Sequence, residues 1–174
     1  GLQISNIVFT DNLDDGFKNS HGWKGFSRFM DEKIERKQKV CSYKDNTNPL
    51  FNFENLEVIS CKFHNIIKSL LDSKAEGIIF IYSDFIYSGI LPLALALEHI
   101  GIEKYGGKNI LNYPEWKEGS DGKSTKKERI NNNWETKSKS KENVFNQAKY
   151  IILSGDQSLS PNNNQERKIS LSKS

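Results

Sequence analysis

Residues 78–90 read IIFIYSDFIYSGI. Five apolar or aromatic residues run to a polar stop at Ser83 and Asp84, and Gly89 opens a second apolar run. An unbroken apolar run of this length, bounded by turn residues, reads as a strand buried on both faces of a parallel sheet. After the loop DFIYSG, the stretch ILPLALALEHIGI (90–102) reads as a helix. Pro92 fits there only in the first turn, and Gly101 supplies the C-terminal stop. Upstream, CKFHNIIKSLLDSKAEG (61–77) places Phe63, Ile66, Ile67, Leu70 and Leu71 on one helical stripe, with Lys62, Asn65 and Lys68 outside it. Downstream, YIILS (150–154) reads as a second buried strand and SGD (154–156) as a polar turn. Ser160-Pro161 then opens a final helix carrying Ile169. Helix, strand and helix joined by short loops is the rhythm of a right-handed parallel α/β layer. The organised core is therefore expected from about Leu56 onward.

The N-terminal third is less regular. LQISNIVFT (2–10) resembles a short strand or an extended connector. In GWKGFSRFMDEKIERK (22–37), Trp23, Phe26, Phe29 and Met30 recur at helical spacing beside Lys33, Arg36 and Lys37. That pattern predicts a peripheral amphipathic helix, with a dedicated binding helix as the alternative. SYKDNTNPLFNFENL (42–56) is loop by composition, with Asn48-Pro49 as a breaker. The chain of 174 residues is 36% hydrophobic and 27% charged, with a net charge of +3. So small a charge does not by itself announce a nucleic-acid binder. Two cysteines, Cys41 and Cys61, give no disulfide framework and fit a reducing, intracellular compartment. No apolar stretch is long enough to span a bilayer, and no membrane association is expected. Gly1 in place of Met suggests a piece of something longer.

From about residue 107 to 147 the rhythm fails. Between Gly107 and Gln147 nine Lys or Arg face six acidic residues, a surplus equal to that of the whole chain. So polar a segment reads as an insertion in the domain. Trp116 and Trp134 within it suit anchoring to the domain, with base stacking as the alternative. GKST at Gly122–Thr125 is not a phosphate-binding P-loop. Position 117, where the first glycine belongs, is Lys117, and no strand precedes it. Cys61 and His64, three apart, lack the further ligands of a closed zinc site. Asp84, Glu98 and Asp156 are candidate acids or bases that no spacing pairs.

What remains is positional. Ligands of α/β sheets bind outside the carboxyl ends of strands. Two polar turns occupy those ends, Ser83-Asp84-Phe85 and Ser154-Gly155-Asp156. Hydroxyls and backbone N–H groups there suit phosphate oxygens. Plain strand-end capping explains the same residues, and geometry alone leaves the choice open.

At these residues a resemblance enters. EGIIFIYSDFIYSGILPLALALEHIGIEKYG (76–106) followed by KYIILSGDQSLSP (149–161) resembles the start of the second motor domain of superfamily 2 helicases. The nearest group is the helicases and nucleoside triphosphatases of poxviruses, African swine fever virus and giant viruses, distantly Snf2-like. The likeness takes in NLEVISCKFHNIIKSLLDS (55–73) and, more loosely, LQISNIVF (2–9), about half the chain. It implies a partial RecA-like parallel-sheet domain at 55–174, with the insertion at about 107–147 and an irregular inter-domain connector at 1–54. It further implies that Ser83, Asp84 and Phe85 belong to motif IV, and Ser154, Gly155 and Asp156 to the following turn. Together they would grip the backbone of DNA or RNA. The implied partners are the parent's first motor domain and viral transcription machinery, in virion or host cytoplasm.

The departures from the family weigh equally. The Walker lysine and the Asp-Glu pair for magnesium belong to the first domain. The glycine-containing motif V and the arginine-bearing motif VI follow the last helix. None is in this chain, so ATP and Mg2+ are expected of the parent, and no cofactor or catalytic residue of this chain alone. Two other readings stay open: a non-catalytic nucleic-acid-binding or assembly module with a helicase-like fold, and an unrelated α/β domain for a small phosphorylated ligand. An incomplete sheet is expected to expose an apolar edge.

Overall fold

The computed structural model describes residues 5–10, 19–72, 78–106, 108–112 and 148–160. Within them the fold is mixed α/β, with four α-helices and two small two-stranded sheets. The helix expected at 61–77 is present as α3, Cys61–Asp72. Its stripe meets the core through buried Phe63 and Ile67, with Ile66, Leu70 and Leu71 packed against them. A shorter helix, α2 (Phe53–Ile59), forms where a loop is expected, because Asn52 caps it by accepting a hydrogen bond from the Asn55 N–H at 2.6 Å. Ser60 separates the two helices and caps the second, its Oγ accepting from the Phe63 N–H at 3.0 Å.

Helix α4 (Leu91–His99) carries Pro92 in its first turn, and Leu91 to Glu98 are all buried. A helix apolar all round can only be core. It ends in a Schellman motif, with the Gly101 N–H on the Glu98 carbonyl at 3.0 Å and the Ile102 N–H on the Leu97 carbonyl at 2.9 Å. The φ of +103° at Gly101 is why glycine stands there. Strand β3 (Glu103–Lys104) follows and pairs in parallel with β4 (Lys149–Tyr150). This is the one parallel ladder among the described residues.

Three expectations need correction. The amphipathic helix of 22–37 stops early: α1 is Gly22–Phe29, and an antiparallel hairpin of β1 (Met30–Glu35) and β2 (Gln38–Tyr43) follows. Phe26 and Met30 are buried, but Trp23 is exposed, and Lys33, Arg36 and Lys37 lie on the hairpin. The core also begins well before Leu56. Ile7 and Phe9 are fully buried, and the Phe9 and Phe26 rings meet edge to face.

The third correction concerns IIFIYS. Ile78, Ile79, Phe80, Ile81 and Tyr82 join no strand ladder with any described residue and are exposed, Phe80 and Tyr82 by more than four-fifths. In YIILS the ladder stops at Tyr150, although Ile152 is buried. An apolar run states what a segment would bury, and here nothing among the described residues covers it. The C-terminal helix from Ser160-Pro161, the GKST stretch, Trp116 and Trp134 lie outside the described residues.

The hairpin turn is strained. Arg36 and Lys37 hold φ of +48° and +68°, the mirror-image turn geometry that favours Asn-Gly. Replacing the pair by Asn-Gly (R36N/K37G) is expected to stabilise the chain by about 1 kcal/mol, a melting shift of about 2–4 °C. Thermal denaturation checks it, and an unchanged or lower midpoint would contradict the strained turn.

Candidate nucleic-acid interface

The two polar turns share one construction. In the first, the Phe85 N–H donates to Ser83 Oγ at 3.3 Å, and the hydroxyl donates to the Phe85 carbonyl at 3.4 Å. In the second, the Asp156 N–H donates to Ser154 Oγ at 3.2 Å, and that hydroxyl reaches the Asp156 carbonyl at 3.3 Å. Each serine therefore folds back on the residue two ahead, which leaves a central residue, Asp84 or Gly155, that is exposed. No described residue accepts the backbone N–H of either Asp84 or Gly155. The serine hydroxyls are used as caps, so donors for an incoming acceptor would be these central N–H groups.

Surrounding residues brace each turn. Gly89 is required beside Ser83, since a Cβ there would lie 2.1 Å from Ser83 Oγ. A π turn over Ile86–Ile90 leads from Ser83 into α4, and Ser88 Oγ accepts from the Gly22 N–H at 2.6 Å, tying it to α1. π turns of this kind gather at functional sites. On the other side, the Ser154 N–H donates to Ser160 Oγ at 2.8 Å. Asp156 Oδ1 accepts from the Ser158 N–H at 2.9 Å and the Ser158 hydroxyl at 2.6 Å.

A cluster around the buried Lys39 side chain joins the two turns, and no motif in the sequence announces it. Lys39 Nζ lies 3.2 Å from Glu32 Oε2, 3.2 Å from the Tyr87 hydroxyl and 3.5 Å from Asp156 Oδ2. The Tyr87 hydroxyl donates to Glu32 Oε1 at 2.9 Å. Tyr87 stands just past the first turn and Asp156 closes the second, so one ammonium spans both. Burial pulls the Lys39 ammonium down, but Tyr87 and Glu32 outweigh it and push its pKa up to about 12. Burial raises the Asp156 carboxyl, yet Ser158 and Lys39 together hold it below its ordinary value. Alternation along β2, with Lys39, Cys41 and Tyr43 inward, was the available signal. A lysine on the inward face hid it.

The three candidate acids are not brought together. Asp84 accepts from the Tyr82 hydroxyl, and Asp156 belongs to the cluster just described. Glu98 is fully buried and accepts from the Ile110 N–H at 2.9 Å, the Leu111 N–H at 2.6 Å and the Tyr150 hydroxyl. Cys41 is buried, which pushes its thiol up to about 12 and makes it a poor nucleophile. Cys61 is exposed, and the His64 ring rests 4.3 Å from that of Phe53. Among the described residues no group of three His, Cys, Asp or Glu could hold a metal ion. No described helix is long and apolar enough to cross a membrane.

No protein-family model matches the chain, and neither a curated protein nor a solved structure is significantly similar to it.

Burial pushes the Glu98 carboxyl up to about 7 against the pull of Tyr150, Leu111 and Ile110. Its unfolded value is the ordinary 4.5, so between the two the folded chain binds more protons than the unfolded one. The Glu98 contribution to stability is thus greatest below the unfolded value and declines by about 3 kcal/mol as pH rises through 7. Melting midpoints of the wild type and of E98Q, whose neutral amide stands in for the protonated carboxyl, should lie close together near pH 5, with the wild type falling below the variant as pH rises through 7. Parallel curves would remove Glu98 as the titrating group.

Proposed function

We propose that this chain supplies a nucleic-acid backbone grip, as part of the second motor domain of a superfamily 2 helicase or translocase of large-DNA-virus type. The observation that carries the reading is the pair of serine turns: same construction, each with an exposed central residue whose N–H no described residue accepts, joined through Lys39. Backbone N–H groups in such turns donate to phosphate oxygens without reading sequence. The order of turn, helix α4, parallel β3 and β4, then turn supports a RecA-like arrangement. The exposed run Ile78–Tyr82 supports it too, since a strand of that composition suits the interior of a larger sheet.

In this reading ATP and Mg2+ bind elsewhere in the parent. The phosphoryl-transfer residues belong in this reading to the parent's other segments, and the work of hydrolysis reaches this chain as closure against the first motor domain. The grip then holds one strand while the other domain moves. Partners are DNA or RNA, the first motor domain and viral transcription machinery.

The test is equilibrium binding of a labelled single strand of about 20 nucleotides. The wild-type chain should bind with an affinity that falls as salt rises. S83A/S154A, which loosens both turns, should bind about tenfold more weakly and with a shallower salt dependence. Unchanged binding by the double variant would overturn the serine turns as the phosphate contacts. Binding of a nucleoside phosphate without single-strand binding would instead favour the small-ligand domain.

A further inference from the structure

The Lys39 ammonium is almost wholly buried, with only 6% of its side chain exposed. A buried ammonium is expensive unless paired, and here two carboxylates and a phenol surround it. Its partners come from three separated parts of the chain: Glu32 on β1, Tyr87 beyond the first turn, and Asp156 in the second. The backbone holds the same residue a fourth way, its N–H donating to the Ser158 carbonyl at 3.0 Å. The Tyr87 ring lies under the ammonium at 5.1 Å.

Asp156 poses a difficulty for a phosphate grip. Its side chain is a quarter exposed, and an unpaired carboxylate beside a phosphate path would repel the strand. Lys39 answers it from the protein side. Its ammonium holds Oδ2 while Ser158 holds Oδ1, so both carboxylate oxygens are engaged. Through Tyr87 the same ammonium fixes the π turn that follows Ser83.

We propose that Lys39 is the positioning residue of the grip, neutralising Asp156 and locking the two serine turns into one unit that presents the Asp84 and Gly155 N–H groups together. This rests on the nucleic-acid reading above. It adds that the hairpin from the N-terminal third, and not only the strand ends, sets the affinity for phosphate.

The experiment is single-strand binding by the whole chain, with melting recorded for every variant. K39M should bind about tenfold more weakly than wild type at about 0.1 M salt, K39R should recover most of the loss, and K39M/D156N should recover part of it. Recovery on removing the Asp156 charge is not expected of a lysine that merely holds the fold. If wild type binds and folded K39M binds as tightly, the role of Lys39 falls while the grip stands. If wild type does not bind, the grip itself falls and Lys39 with it. Should K39M fail to fold, Y87F removes only the hydroxyl that Lys39 and Glu32 share. It should weaken binding about threefold, and undiminished binding would overturn the proposal.

Discussion

A carboxylate that meets no solvent must take its hydrogen bonds from the chain around it, and Glu98 takes three from two remote segments. Helix α4 is otherwise apolar except at its end, where His99 Nδ1 pairs with the Tyr43 hydroxyl at 3.1 Å, and Glu98 is its fully buried polar link to the rest of the fold. The Ile110 and Leu111 N–H groups and the Tyr150 hydroxyl converge on it, which fixes both the connection after β3 and the start of β4. That placement propagates. The Cys41 N–H donates to the Ile110 carbonyl and the Asn112 N–H to the Cys41 carbonyl, both at 2.7 Å. Strand β2 is thereby set against 110–112 on one edge and β1 on the other, with Lys39 two residues upstream of Cys41. From Glu98 the chain of contacts runs without a gap to Lys39 and the two serine turns.

The arrangement separates two kinds of buried charge. Glu98 has donors but, among the described residues, no paired cation within hydrogen-bond distance, so burial dominates and its carboxyl holds its proton toward neutrality. Lys39 has counter-charges on both sides, so partners dominate and it stays charged. The first anchors the frame and the second organises the surface where phosphate is proposed to bind. A hydroxyl turn capped by its own serine is rigid, and rigidity at the central N–H lowers the ordering cost of binding a flexible strand.

Much of this was legible in the residues themselves. The apolar stripe of α3, the first-turn Pro92 and the Gly101 stop are local signals, and local signals were enough for the two longest helices. The polar turns at Ser83 and Ser154 were placed by the rule that strands end in loops. The hairpin was not legible, because its turn is Arg36-Lys37 in place of Asn-Gly, and because the inward face of β2 begins with a lysine. Its helical alternative drew on Trp23, Phe26, Phe29 and Met30, whose spacing continues one residue into β1. The exposure of Ile78–Tyr82 was also beyond sequence, since burial depends on which neighbours are there. Glu98 looked like one more candidate acid until its three donors were seen.

The central claim is that the two serine turns hold phosphate through their central N–H groups. Amide nitrogen–proton correlation spectra of the chain, recorded during addition of an unlabelled single strand, test it most directly. The account predicts that the Asp84 and Gly155 amides shift together and saturably, and that added salt reverses both. Shifts confined to other residues, or none at all under conditions where the strand binds, would contradict it.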